Sequence, residues 1–172
     1  TYNWSGPNSY TSTDEDPVIA SASSAATGTY SVTVTSAAGC VSTVTTTVAT
    51  VNQTPPAPTA GSNTPLCTGT TLSLTASTIT GATYAWIGPN SFASASQNPT
   101  IASATTAAAG TYSVTATVAG CTGPMGITTV SVTVPQTTTP SSNTPVCTGQ
   151  TLSLTASAVA GATYAWTGPN SF

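Results

Sequence analysis

The chain has 172 residues, no Lys, Arg or His and only three acidic residues, so its formal net charge is -3. Charged residues make up 2% of it, against about 25% in an ordinary globular protein. Because no side chain is cationic, we expect no nucleic-acid or anionic-membrane surface, no catalysis by His or Lys, no His-ligated zinc, and hence no enzyme activity and no cofactor.

Short strands are predicted along the whole chain, separated by Gly, Pro and Asn. Apolar and polar residues alternate at 71–76, 112–116 and 130–134. This period of two is typical of strands with one buried and one exposed face. No stretch has a helical period, and no apolar run reaches the length of a membrane span, so no membrane insertion is expected. Several short strands within about 80 residues favour an all-β sandwich.

The sequence repeats itself with a period of about 80 residues. Three tryptophans, 82 and 80 residues apart, mark the repeat in the segments Tyr2–Tyr10, Tyr84–Phe92 and Tyr164–Phe172. The repeat predicts three units: the C-terminal part of one domain at 1–54, a complete domain at 55–135, and the N-terminal part of a third at 136–172. Because the outer units are half-domains, we expect the sequence to come from a longer tandem array.

The order of motifs within the repeat is similar to that of immunoglobulin domains. Cys67-Thr68-Gly69 comes first, then Trp86 with Gly88-Pro89-Asn90, then Gly110-Thr111-Tyr112, then Gly120-Cys121. This order resembles the Ig-like or PKD-like tandem repeats of large secreted surface proteins of gliding bacteria, which the type IX secretion system exports. The resemblance implies a tyrosine corner, with Leu74 and Val114 where antibody domains carry their core cysteines. The expected core residues are Trp4, Trp86, Trp166, Leu74, Tyr112 and Val114.

Four cysteines, Cys40, Cys67, Cys121 and Cys147, are candidates for disulfides in an oxidising, extracellular setting. In an immunoglobulin sandwich, the strands after Cys67 and before Cys121 run in the same direction. At about 3.3 Å per residue, the two sulfurs would then lie at opposite ends of the domain. This geometry favours disulfides that staple consecutive domains. A bond within one domain, and free or interchain thiols, remain alternatives.

Two surface features have both a functional and a structural interpretation. Asp14, Glu15 and Asp16 form the only acidic cluster and are a weak candidate for Ca²⁺ binding. The next repeat has Ser96, Gln97 and Asn98 there, which favours a solvated loop. The second feature is the Gly88-Pro89-Asn90 turn with Phe92, which could offer amides and a ring to a glycan. Pro and Asn are also ordinary turn residues, and we favour that interpretation.

Composition and linkers together predict an extracellular structural protein. The linkers at 52–58 and 135–140 are rich in Pro and Thr and favour extended conformations. Sandwiches joined by stiff linkers form a rod, and uncharged faces do not repel one another. We therefore expect a segment of a secreted fibre, stalk or hook-like appendage in which identical chains pack laterally as homo-oligomers. The alternatives are an adhesin whose repeats or tip bind a glycan or a prey or host surface, and an accessory module of a secreted enzyme.

Overall fold

The computed structural model describes residues 1–169 and is composed of short strands. In the amino-terminal segment (residues 1–54) four strands form one antiparallel sheet in the order β2-β1-β3-β4. They are β1 Tyr2–Gly6, β2 Tyr10–Ser12, β3 Gly28–Val34 and β4 Thr45–Ala49. Single 3-10 turns at Pro7–Ser9 and Ser24–Ala26 lie in its loops.

The central segment (residues 55–135) contains two facing sheets. One has the order β10-β7-β5, and the other is built on β11, which pairs with β8, β12 and β13, while β9 pairs with β8. The strands are β5 Ala60–Ser62, β6 Leu66–Cys67, β7 Leu72–Ala76, β8 Thr83–Gly88, β9 Phe92–Ser94, β10 Thr100–Ile101, β11 Gly110–Val118, β12 Cys121–Thr122, β13 Gly126–Val130 and β14 Val132–Thr133. A 3-10 turn at Thr106–Ala108 precedes β11.

The first strand region of the central segment changes partner along its length. Its β5 pairs antiparallel with β7, and then β6 pairs parallel with β14, so that Leu66 faces Val132 and Cys67 faces Thr133. This switch joins the two layers at one edge. With its remaining pairs antiparallel, the central segment is an immunoglobulin-like β-sandwich, and the predicted all-β fold class is confirmed.

The carboxyl-terminal segment (residues 136–172, described to 169) has one strand pair. β15 Pro140–Ser142 pairs antiparallel with β16 Leu154–Ala156. The register repeats that of β5 with β7, because Pro140 faces Ala156 as Ala60 faces Ala76. Residues 163–168, which match β8 in sequence, have no strand assignment.

The core lies between the two sheets of the central segment. Alternate residues of β7, β8 and β11 point inward, and their side chains are at most 1% exposed: Leu72, Leu74, Trp86, Tyr112 and Val114. Burying a large apolar side chain contributes about 1.5–3 kcal/mol. The polar atom of the largest side chain is satisfied, since the Trp86 indole Nε1 donates to the Gln97 carbonyl at 3.1 Å. The core is thus apolar, with its one indole N–H paired at the edge.

Tyr112 forms the predicted corner at the start of β11. Its hydroxyl donates to the Ala108 carbonyl at 2.9 Å, four residues upstream. Its ring lies against Gly88, where an added Cβ would overlap the ring atoms. The Phe92 ring meets it edge-on, with centroids 5.5 Å apart. The amino-terminal segment repeats this corner, because the Tyr30 hydroxyl donates to the Ala26 carbonyl at 2.8 Å.

Burial of the three repeat tryptophans differs, and the core prediction is wrong for one of them. Trp86 is buried, Trp4 is half-buried, and Trp166 is 38% exposed. Strand β11 and the β7 leucines cover Trp86 in the central segment. Among the described residues, no strand pairs with the segment 163–168 that contains Trp166, so its ring lies on an open face.

The close contact between Gly88 and Tyr112 predicts that Gly88→Ala destabilises the sandwich. The new methyl group would force the Tyr112 ring out of position, and overpacking of this kind costs about 1–3 kcal/mol. Urea unfolding followed by Trp fluorescence measures the change. Ile87→Ala on the outer face of the same strand, where Ile87 is 61% exposed, should cost about 0.5 kcal/mol or less. Equal losses in the two variants would contradict the packing.

Burial of Tyr112 also predicts a loss of stability at alkaline pH. Desolvation raises the pKa of the Tyr112 phenol above its ordinary value. The protonated phenol therefore stabilises the fold below about pH 10, the ordinary pKa of tyrosine, and this contribution disappears as pH rises through the folded-state pKa. Tyr112→Phe should lose about 1 kcal/mol at neutral pH with the hydrogen bond. When urea unfolding is repeated at high pH, the free energy of unfolding of Tyr112→Phe should fall less than that of the parent. An equal fall would show that ionisation of Tyr112 does not cause the loss of stability.

Candidate functional site

The site with the clearest geometry is the junction between the amino-terminal and central segments. Asn52 follows β4, and its side-chain amide donates to the Ala119 carbonyl at 3.0 Å. Ala119 and Gly120 form the two-residue turn between β11 and β12, with φ of 47° and 81°. Positive φ at both positions is characteristic of the tight turns that match strand twist. The turn thus presents a backbone carbonyl to the linker.

The residues after Asn52 follow the same hairpin. The thiol of Cys121 lies 3.7 Å from the Asn52 carbonyl. At Gly123, an added Cβ would overlap the carbonyl of Pro55, and at Gly126 it would overlap the carbonyl of Pro58. The linker backbone therefore runs against β12 and β13 at positions where only glycine leaves room. This contact ties the linker to the central sandwich rather than leaving it free.

The four cysteines are unpaired in the structure. The sequence predicted that Cys67 and Cys121 lie at opposite ends of one domain. Cys121 lies beside Asn52, next to the Val118 end of β11. Cys67 lies beside Thr133, and β14 continues β13 beyond the Gly110 end of the same strand. β11 has nine residues, so its ends are about 25–30 Å apart at strand rise. A disulfide requires Cα atoms within about 7 Å, so Cys67 and Cys121 do not pair in this fold.

Cys40 and Cys147 are exposed, as is Cys67, whereas Cys121 is partly covered. Cys40 occupies the turn region after β3 that corresponds to Cys121 after β11. Cys147 corresponds to Cys67 in sequence. Disulfide formation by any of the four, including stapling of consecutive domains, remains a prediction.

The acidic cluster lies in the loop after β2. The Asp14 carbonyl accepts from Trp4 Nε1 at 3.1 Å, as the Gln97 carbonyl accepts from Trp86. Ser12 Oγ donates to the Asp14 carboxylate at 3.2 Å. The pKa of the Tyr2 phenol is raised above its ordinary value, first by its hydrogen bond to the Glu15 carboxylate, then by desolvation, and then by the negative charges of Glu15 and Asp16. Within residues 1–169, no three Asp, Glu, Cys or His side chains group as ligands for one metal ion. Metal independence stays a prediction from composition.

The Gly88-Pro89-Asn90 turn uses its polar group internally. Asn90 has a φ of 52°, and its amide donates to the Ala107 carbonyl at 2.8 Å. Asn8 makes the same bond to the Ala25 carbonyl at 2.7 Å. With the Asn amide bonded and Phe92 packed on Tyr112, the turn holds neighbouring loops together. These contacts favour the structural interpretation over a glycan site.

No helix among the described residues is long and apolar enough to cross a membrane. No protein-family model and no curated protein matches the chain. Among solved structures, murine CEACAM1b is similar at 15% identity and a TM-score of 0.47, covering 78% of this chain and 85% of that one. The amphioxus IgVJ-C2 molecule is similar at 18% identity and a TM-score of 0.39, covering 76% of this chain and 87% of that one. The N-terminal four Ig domains of Dscam1 isoform 6.44 are similar at 15% identity and a TM-score of 0.36, covering 76% of this chain and 37% of that one. At these values the comparisons assign no function.

The separation of Cys67 and Cys121 predicts that no disulfide joins them in the isolated chain. We expect alkylation of the native protein, chymotryptic digestion and mass spectrometry to show no Cys67–Cys121 peptide. Reduction should leave the melting temperature unchanged, because there is no such bond to break. A Cys67–Cys121 disulfide would stabilise the fold by about 4 kcal/mol, and its reduction would lower the melting temperature. A linked peptide, or a clear loss of melting temperature on reduction, would contradict the placement.

Proposed function

We propose that this chain is a structural segment of a secreted fibre, stalk or hook-like appendage. The observation that carries the proposal is the held junction, in which Asn52 and Pro55 lie on the hairpin of the central sandwich. A linker bonded to the domain that follows it transmits orientation from one repeat to the next. In this proposal, residues 1–54, 55–135 and 136–172 belong to consecutive domains of a stiff array.

The surface chemistry supports association of identical chains. No Lys or Arg occurs in the chain, and the three carboxylates lie in one loop. Edge strands of monomeric proteins usually carry charges that prevent strand-to-strand association. Strand β4 instead presents Thr46 and Val48 on its outer side, and the equivalent Ile127 and Thr129 of β13 are also exposed in the central segment. Parallel chains packing laterally through such neutral faces meet no electrostatic repulsion and are insensitive to salt.

The extracellular location is part of the same proposal. It is supported by the motif resemblance to type IX secretion cargo and by four cysteines in repeat-equivalent positions. Enzyme activity is not proposed, because the chain contains no His for acid-base catalysis and no Lys for covalent amine chemistry. A glycan-binding adhesin is not favoured, since the turn amides of Asn8 and Asn90 are bonded internally.

The proposal is tested by the rigidity of the junction. Spin labels at Thr46→Cys and Ser96→Cys, in a background with the native cysteines replaced by Ser, report the distance between the two segments by pulsed electron resonance. We expect a narrow distribution that broadens in Asn52→Ala. Asn63→Ala is the matched control, because its amide bonds to Thr71 within the central segment. A distribution already broad without Asn52→Ala would show a hinge and refute the stiff-array proposal.

A further inference from the structure

The junction at Asn52 has a counterpart at the far end of the central segment. The first residue of β3 pairs with Ala49, as the first residue of β11 pairs with Val130. Asn52 follows Ala49 by three residues, and Thr133 follows Val130 by three residues. Asn52 and Thr133 therefore hold the same place in consecutive repeats, and the contacts of one indicate the contacts of the other.

Thr133 lies beside a cysteine of its own domain. It is the register partner of Cys67 in the parallel pair of β6 and β14, and its carbonyl accepts from the Thr68 amide at 2.8 Å. Neighbouring strands lie about 4.8 Å apart. By repeat equivalence, the cysteine at the Cys67 position of the unit that ends at Asn52 is held next to Asn52 in the same way.

Asn52 lies beside a cysteine of the domain that follows it. The Sγ atom of Cys121 is 3.7 Å from the Asn52 carbonyl, and the Asn52 amide holds the same hairpin through its bond to Ala119. At Thr133 the equivalent carbonyl is the one that accepts from the residue after Cys67. Two cysteine positions, one from each of two consecutive domains, thus converge on a single backbone carbonyl.

The distances between these positions suit a disulfide. The two contacts to the carbonyl, at 3.7 and 2.8 Å, place Cys121 Sγ within about 6.5 Å of the amide that follows the other cysteine, comparable to the Cα separation of about 4.4–6.8 Å in disulfides. Within one domain, Cys67 and Cys121 lie near opposite ends of the nine-residue β11, about 25–30 Å apart. Only the contact between consecutive domains satisfies the geometry.

We propose that Cys121 forms a disulfide with the cysteine at the Cys67 position of the preceding repeat, and that Cys67 forms one with the cysteine at the Cys121 position of the following repeat. This inference rests on the tandem array of the proposed function, because both partners belong to neighbouring repeats. Cys40 and Cys147 hold the same two positions in the outer units and bond in the same two directions. Each junction is then crossed twice, by the linker and by a disulfide.

Formation of each bond removes two protons and two electrons from a pair of thiols, and an oxidant of the disulfide class, such as oxidised glutathione, accepts the electrons. One cysteine thiolate attacks the S–S bond of the oxidant, which breaks and releases one reduced thiol. The second cysteine thiolate then attacks the protein sulfur of the mixed disulfide. The protein S–S bond forms and the second reduced thiol leaves.

The bond at Cys121 is tested with the full chain extended at its amino terminus by a copy of its residues 55–82. The copy completes the amino-terminal domain and adds one cysteine, and Cys67→Ser and Cys147→Ser leave it only Cys40 and Cys121 as partners. The protein is equilibrated with reduced and oxidised glutathione, alkylated, digested with chymotrypsin and analysed by mass spectrometry. Because of the distances above, we expect the added cysteine to bond to Cys121 at least about tenfold more often than to Cys40.

Asn52→Ala connects this bond to the junction geometry. It removes the contact that holds the hairpin, and loss of one hydrogen bond should lower the equilibrium constant for the disulfide roughly fivefold. Asn63→Ala is the matched control and should leave the constant unchanged, because its amide bonds to Thr71 within the central segment. Circular dichroism of the reduced proteins checks that each variant keeps its fold.

The second junction gives an independent measurement. The full chain extended at its carboxyl terminus by a copy of its residues 93–135 completes the third domain and adds a cysteine at the Cys121 position. With Cys40→Ser and Cys121→Ser, the thiols that remain for the added cysteine are Cys67 and Cys147. We expect the bond to Cys67, across the junction, and not the bond to Cys147 within the third domain.

Three results would overturn the proposal: a predominant bond to Cys40 or Cys147 within one domain, a bond between separate chains, or no bond in either extended chain. Junction rigidity is measured separately, in a chain without the native cysteines. A rigid junction with no disulfide would therefore reject the bond and leave the fibre proposal standing. A disulfide across a junction that is flexible when reduced would reject the stiff array and keep the bond.

Discussion

The contact of the Tyr112 ring with Gly88, fixed by the bond from its hydroxyl to Ala108, determines where β11 begins. Strand β11 in turn pairs with β8, β12 and β13, so most of one sheet takes its register from this corner. The chain has no basic side chain, and salt bridges between side chains contribute nothing to this arrangement. Apolar packing and neutral hydrogen bonds hold the sandwich together. Stability therefore depends on close contacts such as that of Gly88 with the Tyr112 ring, where there is no room for one more methyl group.

Local pattern was sufficient to predict the strands and the central fold. The alternation around Leu74 and Val114 placed both residues on inward faces, because side-chain direction in a strand is fixed by the backbone. Burial was harder to predict for the repeated tryptophans. Trp86 and Trp166 have nearly the same neighbours in sequence, yet only Trp86 is covered, because burial depends on strands that lie far away along the chain.

The junction illustrates a second limit of sequence reasoning. Because the rise per residue of a strand is nearly constant, counting residues was enough to predict that Cys67 and Cys121 lie far apart. The bond between Asn52 and Ala119 depends on the direction of one carbonyl in a turn with positive φ, which no periodicity reveals. Gly123 and Gly126 were the available signals, since glycine within or beside a strand often marks the close approach of another backbone.

The parallel pairing of β6 with β14 determines how the central sandwich responds to tension. Its bonds run from the Leu66 amide to Ser131 and from the Thr68 amide to Thr133, at 3.2 and 2.8 Å. A pull on the two ends of residues 55–135 draws β6 and β14 past each other along their common axis. The bonds are then loaded in shear and must break together, whereas the β8–β9 hairpin would open one bond at a time. A strand pair with only two residues on each side therefore lies where a stretching force acts first.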